Sequence, residues 1–167
     1  MTGHPDDNVI GPSGPEFRDA LGHFATGITV ITAMDGDQPV GLAANSFTSV
    51  SLDPPLVLFC AAKTSSTWPR IERARSFAVN ILDDAQEDVC RIFATPSEDR
   101  FSQVSWHPSP SGSPLLDDVH AFLDCVLYEV HDGGDHWIVV GRVIDMGLDA
   151  DAGPLLYYRG KYGRLGE

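Results

Sequence analysis

Apolar residues at Phe17, Ala20, Leu21, Phe24 and Ala25 fall at i, i+3, i+4, i+7 and i+8, the spacing of one helical face. They predict an amphipathic helix over 15–26. Ser13 and Glu16 stand at capping-box spacing, Pro15 falls in the first turn, and Gly27 is the expected stop. The pattern then changes. Residues 28–34 are β-branched and strand-like, Asp35-Gly36-Asp37 reads as a turn, and a second strand covers 38–44. Leu56 to Ala61 is apolar at successive positions, the mark of an interior strand. A short helix follows from Thr67 to Ala74, with Pro69 tolerated in its first turn, then a strand over 77–82. A second short helix spans 86–93, with Val89, Ile92 and Phe93 on one side. Residues 94–114 hold four prolines and several serines, a long irregular excursion of the kind that is usually functional or interface-forming. Two long strands, 121–131 and 136–148, flank Asp132-Gly133-Gly134-Asp135, a hairpin signal. A last strand over 155–158 precedes a basic tail.

Many strands with few short helices predict a mainly β protein, a barrel carrying peripheral helices. A doubly wound α/β sheet would need a helix after nearly every strand. No GxGxxG or GxxxxGK[ST] loop is present, which argues against a Rossmann or P-loop nucleotide site. The expected organisation is a flexible segment over 1–14 and a single domain over 15–167. No apolar run approaches the roughly 20 residues of a membrane span, and the polar N-terminus lacks the features of a signal peptide, so the expected location is cytoplasmic.

The formal net charge of −13 argues against nucleic acid or an anionic membrane as partner, since both require phosphate-neutralising cations. The few basic residues are unevenly placed. Lys63, Arg70, Arg73 and Arg75 cluster after the interior strand, and Arg159, Lys161 and Arg164 crowd the tail. Either cluster could settle an anionic ligand or serve as solvated surface. Cys60, Cys90 and Cys125 sit among apolar neighbours and read as buried free thiols, with no CxxC pair.

Three constellations could carry chemistry. The first is Gly41 to Pro55, where Ala43, Ala44 and Ser46 replace the larger apolar residues of an ordinary core strand. Small side chains leave room for a flat ligand, while Asn45, Ser46, Thr48 and Ser49 offer donors and acceptors to its edge. A polar edge strand would look similar. The second, Lys63-Thr-Ser-Ser-Thr67, joins hydroxyls and a cation at a helix start. It reads equally as a phosphate cradle and as a simple N-cap from Ser66 or Thr67. The third, His131 to His136, contains two histidines and two carboxylates, which could ligate a metal but fit a turn far better. His136 is instead the histidine to aim at a bound ligand. No GxSxG elbow supports hydrolytic chemistry.

In order and spacing these segments resemble the flavin reductase-like family: Phe24-Ala-Thr-Gly-Ile-Thr-Val30, Gly41 to Pro55, Lys63 to Thr67, Phe77-Ala-Val-Asn-Ile-Leu82, Asp99-Arg-Phe101, Pro114-Leu-Leu116, Cys125, Gly134-Asp-His136 and Pro154 to Tyr162. The resemblance implies an FMN-binding-like split β-barrel with Greek-key topology and peripheral helices, usually a homodimer with flavin near the subunit interface. It implies an NAD(P)H:flavin oxidoreductase that uses NADH in preference to NADPH, reduces FMN or FAD, and supplies free reduced flavin to a separate flavin-dependent oxygenase. By the same resemblance, Ala44, Asn45, Ser46, Thr48 and Ser49 border the isoalloxazine, and Ala61, Lys63, Ser65, Ser66 and Thr67 hold the ribityl and phosphate end. Arg100 and Phe101 shape a nearby wall, Tyr158 adds a cofactor contact, and His136 is the catalytic candidate by the nicotinamide. No metal is implied. Trp137 departs from the pattern, because a smaller residue is expected after that histidine. Two other readings use the same barrel: a non-catalytic flavin-binding or electron-carrier protein, and an oxidase of the pyridoxamine-phosphate type.

Overall fold

The computed structural model describes residues 9–149, 151 and 153–166. Most of the expected 1–14 segment (residues 1–8) lies outside the described residues, while 9–13 are exposed and without regular structure. Helix α1 (Gly14–Gly22) begins where expected, because Ser13 and Glu16 form a reciprocal capping box with Pro15 in the first turn. It ends earlier than the periodicity predicts. His23 donates its backbone N–H to Ala20 and closes the last turn, and Thr26–Gly27 is a short strand, β1. No residue of α1 is buried: Phe17, Leu21 and Phe24 of its apolar stripe are 53%, 56% and 76% exposed.

The central sheet contains β2 (Thr29–Asp35), β3 (Gln38–Ala44), β4 (Thr48–Leu52), β5 (Pro55–Ala62), β6 (Ser76–Ile81), β9 (Ala121–Gly133) and β10 (His136–Leu148). Every pairing is antiparallel, in the order β3-β2-β6-β9-β10-β5-β4. The sheet curls so that β3 returns towards β5, giving a split barrel. Gly36, at φ +62°, supplies the left-handed turn between β2 and β3. The β9–β10 hairpin carries bulges at Tyr128 and Ile144, and β4 one at Val50. Two small sheets complete the molecule: β1 with β11 (Leu156–Tyr158) and β12 (Lys161–Gly163), and β7 (Trp106–Pro108) with β8 (Pro114–Leu116).

Alternation along the strands sorts side chains into two cores. Inside the barrel lie Ile31, Phe59, Phe77, Val79, Cys125 and Val139, and α2 (Trp68–Ala74) pushes Trp68 and Ile71 among them. Phe59 meets both Trp68 and Phe77 edge-on, with ring centroids 6.2 and 5.3 Å away. On the other face of β2, α3 (Glu87–Ala94) packs Cys90 and Phe93 against Ile28, Val30, Leu82, Leu116 and Leu155. β5 is interior in its pairing, but Leu56, Leu58 and Cys60 are only half-buried, so its second face is less covered than its composition predicts.

The 94–114 excursion is tied down rather than loose. Asn80, fully buried, donates to the Val30 carbonyl and to the Thr32 hydroxyl and accepts from the Leu116 N–H at 2.8 Å. Buried Asp124 accepts from the Ser111 hydroxyl at 2.6 Å and from its N–H at 2.8 Å. These pairings satisfy polar groups that would be costly to bury alone, and they fix the excursion on the sheet. Among the described residues, no helix is long and apolar enough to cross a membrane.

Candidate functional site

Beyond Ala44, the chain leaves β3 and returns as β4. Continuing the Thr48↔Leu58 register by two residues puts Ser46 opposite Cys60. There the ladder is completed by a side chain. The Ser46 hydroxyl accepts from the Cys60 N–H at 2.9 Å and donates to the Cys60 carbonyl at 3.2 Å. Ser46 thus spends its donor and an acceptor on the seam of the barrel. Asn45 beside it is exposed, and its carboxamide makes no hydrogen bond among the described residues.

The small residues do leave space. A hollow of about 230 Å³ is lined by Ile28, Ala43, Ala44, Asn45, Cys90 and Tyr162, among others. A second, of about 260 Å³, lies on the other side of Asn45 and includes Phe24, Thr26 and Phe47. Thr48 and Ser49 are exposed on the edge strand β4 and line neither hollow. Ala61 is 2% exposed within the barrel core, so its side chain faces away from any ligand.

A larger cleft of about 510 Å³ opens at the other end of β3. Its walls are Pro39–Gly41, then Ser66, Thr67 and Arg70 at the start of α2, then Pro96–Glu98, Arg100 and Phe101 from the excursion. Gly41 is required here, because a Cβ would stand 2.8 Å from the Phe93 ring. Arg100 spans the cleft wall, donating to the Gly41 carbonyl at 2.7 Å and the Thr95 carbonyl at 3.0 Å. It has no carboxylate partner among the described residues, and burial lowers its pKa, although a guanidinium stays charged. Phe101 packs edge-on against Phe93 and Trp106, which steadies the wall.

The Lys63–Thr67 segment divides. Ser66 and Thr67 reach the cleft, but Ser65 caps α2, accepting from the N–H groups of Thr67 and Trp68 at 3.2 Å each. Neither Ser66 nor Thr67, the residues expected to cap, does so with its side chain. Lys63 turns to the β9–β10 hairpin. Its ammonium lies 2.6 Å from an Asp132 carboxylate oxygen and 4.5 Å from the centre of the Trp137 ring. The cation cluster as a whole is largely neutralised. Arg70 and Arg73 both hold Asp35, and Arg70 also donates to Gln38. Hydrogen bonds first from Arg73, then from Arg70, hold the Asp35 carboxyl well below the usual carboxylate range.

At the hairpin turn, His136 Nδ1 lies 2.7 Å from an Asp135 carboxylate oxygen, and this contact lowers the Asp135 pKa. His131 points to Glu129 instead, and the described residues contain no grouping of three or more metal-ligating side chains. Tyr158 is exposed on β11, apart from these cavities. Cys90 and Cys125 are buried thiols and Cys60 is half-buried, all unpaired. Burial pushes the Cys125 thiol up to about 12 and raises that of Cys90.

Three participants were not marked by sequence reasoning. Asp35, Asp132 and the β3 end at Pro39–Gly41 acquire their significance only from partners far along the chain. For Asp132 the partner, Lys63, lies 69 residues away.

The family model described as "Flavin reductase like domain" matches residues 21–166. The chain is 49% identical over 146 residues to the flavin-dependent monooxygenase reductase subunit HsaB of Rhodococcus jostii, covering 87% of this chain and 75% of that protein. It is 40% identical to the FMN reductase (NADH) SmoA of Agrobacterium fabrum, covering 96% and 93%. Among solved structures, the NADH:FAD oxidoreductase SgcE6 of Streptomyces globisporus, in complex with NAD and FAD fragments, superposes with a TM-score of 0.89. That similarity is at 38% identity and covers 95% and 97% of the two chains.

Proposed function

Because this chain belongs to the flavin reductase-like domain family, we propose that it is an NAD(P)H:flavin oxidoreductase that reduces FMN or FAD with NADH and passes free reduced flavin to a separate flavin-dependent oxygenase. The observation that carries this reading is the similarity to a monooxygenase reductase subunit along 87% of the chain. An NADH-dependent enzyme needs no acid–base pair at its centre if the flavin accepts the electrons. When bound, the flavin ring supplies the redox chemistry, and the chain supplies binding and orientation.

The residues fit such a group. Ala44 and Asn45 form an open shelf with small side chains and a free carboxamide, and Thr48 and Ser49 add exposed hydroxyls along its outer edge. Ser46 keeps the shelf rigid by locking it to β5. Ser66, Thr67 and the carboxylate-free Arg100 take the phosphate end, with Phe101 as the adjoining wall. FMN and FAD share the ring, the ribityl chain and the first phosphate, so a site built this way admits both. His136 faces the nicotinamide. Glu129, Asp132 and Asp135 surround that hairpin, and their charge disfavours the extra phosphate of NADPH.

The apolar face of α1 fits a second copy of this chain. Phe17, Leu21 and Phe24 are exposed together, and Phe24 lines the same hollow as Asn45. A homodimer closed over this face would bring the interface to the edge of the flavin shelf. A reductase drawing on NADH works where that nucleotide is supplied, in the cytoplasm.

Purified protein with NADH and either FMN or FAD should show rapid loss of absorbance at 340 nm. Absence of turnover with both flavins would overturn the assignment. Tight retention of flavin through gel filtration with negligible NADH oxidation would make the protein a carrier instead.

A further inference from the structure

Lys63 is the one basic residue of the Lys63–Thr67 segment, and charge alone makes it a phosphate ligand. Its surroundings say otherwise. The cleft that holds Ser66, Thr67 and Arg100 is not lined by Lys63. The Lys63 ammonium is enclosed from two sides by the β9–β10 hairpin: the Asp132 carboxylate at 2.6 Å and the face of Trp137 at 4.5 Å. Its backbone N–H donates to the Asp135 carbonyl at 2.9 Å, a third tie to the same turn. The other Asp132 oxygen accepts from the Gly134 N–H at 3.0 Å, so one carboxylate braces both the turn and the lysine. Trp137 pairs with Ala61 on β5 and packs its ring against the barrel core, which gives the cation a fixed surface to rest on. His136 lies between the residues held by these ties, Asp135 before it and Trp137 after it.

We propose that Lys63, Asp132 and Trp137 form a latch that fixes the Gly133–His136 turn against the end of β5, so that Lys63 is a positioning residue for His136 and not a phosphate ligand. The large side chain at 137 then has a purpose, because a smaller residue there would leave the ammonium without its second contact. The functional part of this inference, that a fixed His136 serves the pyridine nucleotide, rests on the reductase reading above.

The test compares Lys63→Met and Asp132→Asn with the wild type, each measured for FMN and riboflavin binding, NADH kinetics and hydrogen exchange of the turn amides. A latch predicts that both variants bind FMN and riboflavin as the wild type does, while exchange at Gly134–His136 accelerates about tenfold as the turn opens locally. KM for NADH should rise about five- to tenfold with kcat nearly unchanged, the signature of lost ground-state positioning. Lys63→Arg should restore both, since a guanidinium can keep the ion pair and stack on Trp137. Loss of FMN affinity in Lys63→Met with riboflavin spared would make Lys63 a phosphate ligand and overturn the proposal, as would unchanged exchange of the turn. If the wild-type protein fails to oxidise NADH, the reductase reading falls, and the exchange measurement still decides the latch.

Discussion

Ser46 and Cys60 are joined twice across the seam of the barrel, at 2.9 Å and 3.2 Å, by one hydroxyl that takes the place of a backbone rung. Ser46→Ala removes both bonds and leaves two backbone groups of β5 without partners. The expected cost is about 1–3 kcal/mol. For a chain of this size each kcal/mol lowers Tm by about 2–4 °C, which thermal unfolding will read directly. Flavin affinity should fall by much less than for enlargement at the neighbouring shelf.

Ala44→Leu is the complementary change. Ala44 borders the hollow beside Asn45, and a longer side chain there occupies space assigned to the ring. Flavin titration should show weakening of about tenfold or more, because even one misplaced methylene in such a site is worth 1–3 kcal/mol. Ala44 also touches the barrel core, so the thermal midpoint must be measured alongside. A variant that unfolds while its folded fraction binds flavin normally would show that the small residues serve packing.

Arg100→Met tests the phosphate end. A charge-assisted contact contributes about 1.5–3 kcal/mol, so FMN affinity should fall about 10- to 100-fold while riboflavin binding stays unchanged. Equal loss for both ligands would assign Arg100 to the shape of the cleft through its bonds to Gly41 and Thr95.

Asp35 gives a pH signature. Its carboxyl is held well below the ordinary range by Arg73 and Arg70 in the folded protein. A depressed folded value means the stabilisation is fully present above the unfolded pKa of about 3.9 and disappears as pH falls further through the folded value. Urea midpoints of wild type and Asp35→Asn should therefore differ at pH 7 and converge progressively below pH of about 4. A constant difference across this range would remove the ion pairs as its cause.

The three cysteines should differ in reactivity. With Cys125 pushed up to about 12 and Cys90 also raised by burial, neither is a thiolate at pH 8. A thiol reagent should modify at most half-buried Cys60 in the native protein and all three residues after unfolding.

The elements carrying a local signal were legible in the chain. The capping box at Ser13 and Glu16, the Gly36 turn, the strand at Gln38–Ala44 and the hairpin around Gly134 all rest on contacts within a few residues. β4 was harder to see because Thr-Ser-Val-Ser-Leu lies at an edge, where exposure permits polar residues and pairing with β5 supplies the order. β12 sits inside the basic tail for the same reason. At the site, residue types along Ala43–Ser49 pointed to the shelf, but nothing local tells that Ser46 completes a ladder with Cys60. The lysine at 63 likewise shows its charge in the sequence and conceals its partner, since Asp132 arrives from the far end of the sheet.

Helix α1 has one further consequence. It is nine residues long, and none of its side chains is buried in the chain's own core. Isolated helices shorter than about 12–15 residues are marginal in water, so a capping box alone holds it weakly. If a second copy covers Phe17, Leu21 and Phe24, the order of this helix becomes a function of protein concentration. Dilution would then fray α1, and with it the Phe24 wall of the hollow beside Asn45. Circular dichroism and flavin affinity followed together across a dilution series would change in step, which makes assembly itself a control on the shelf.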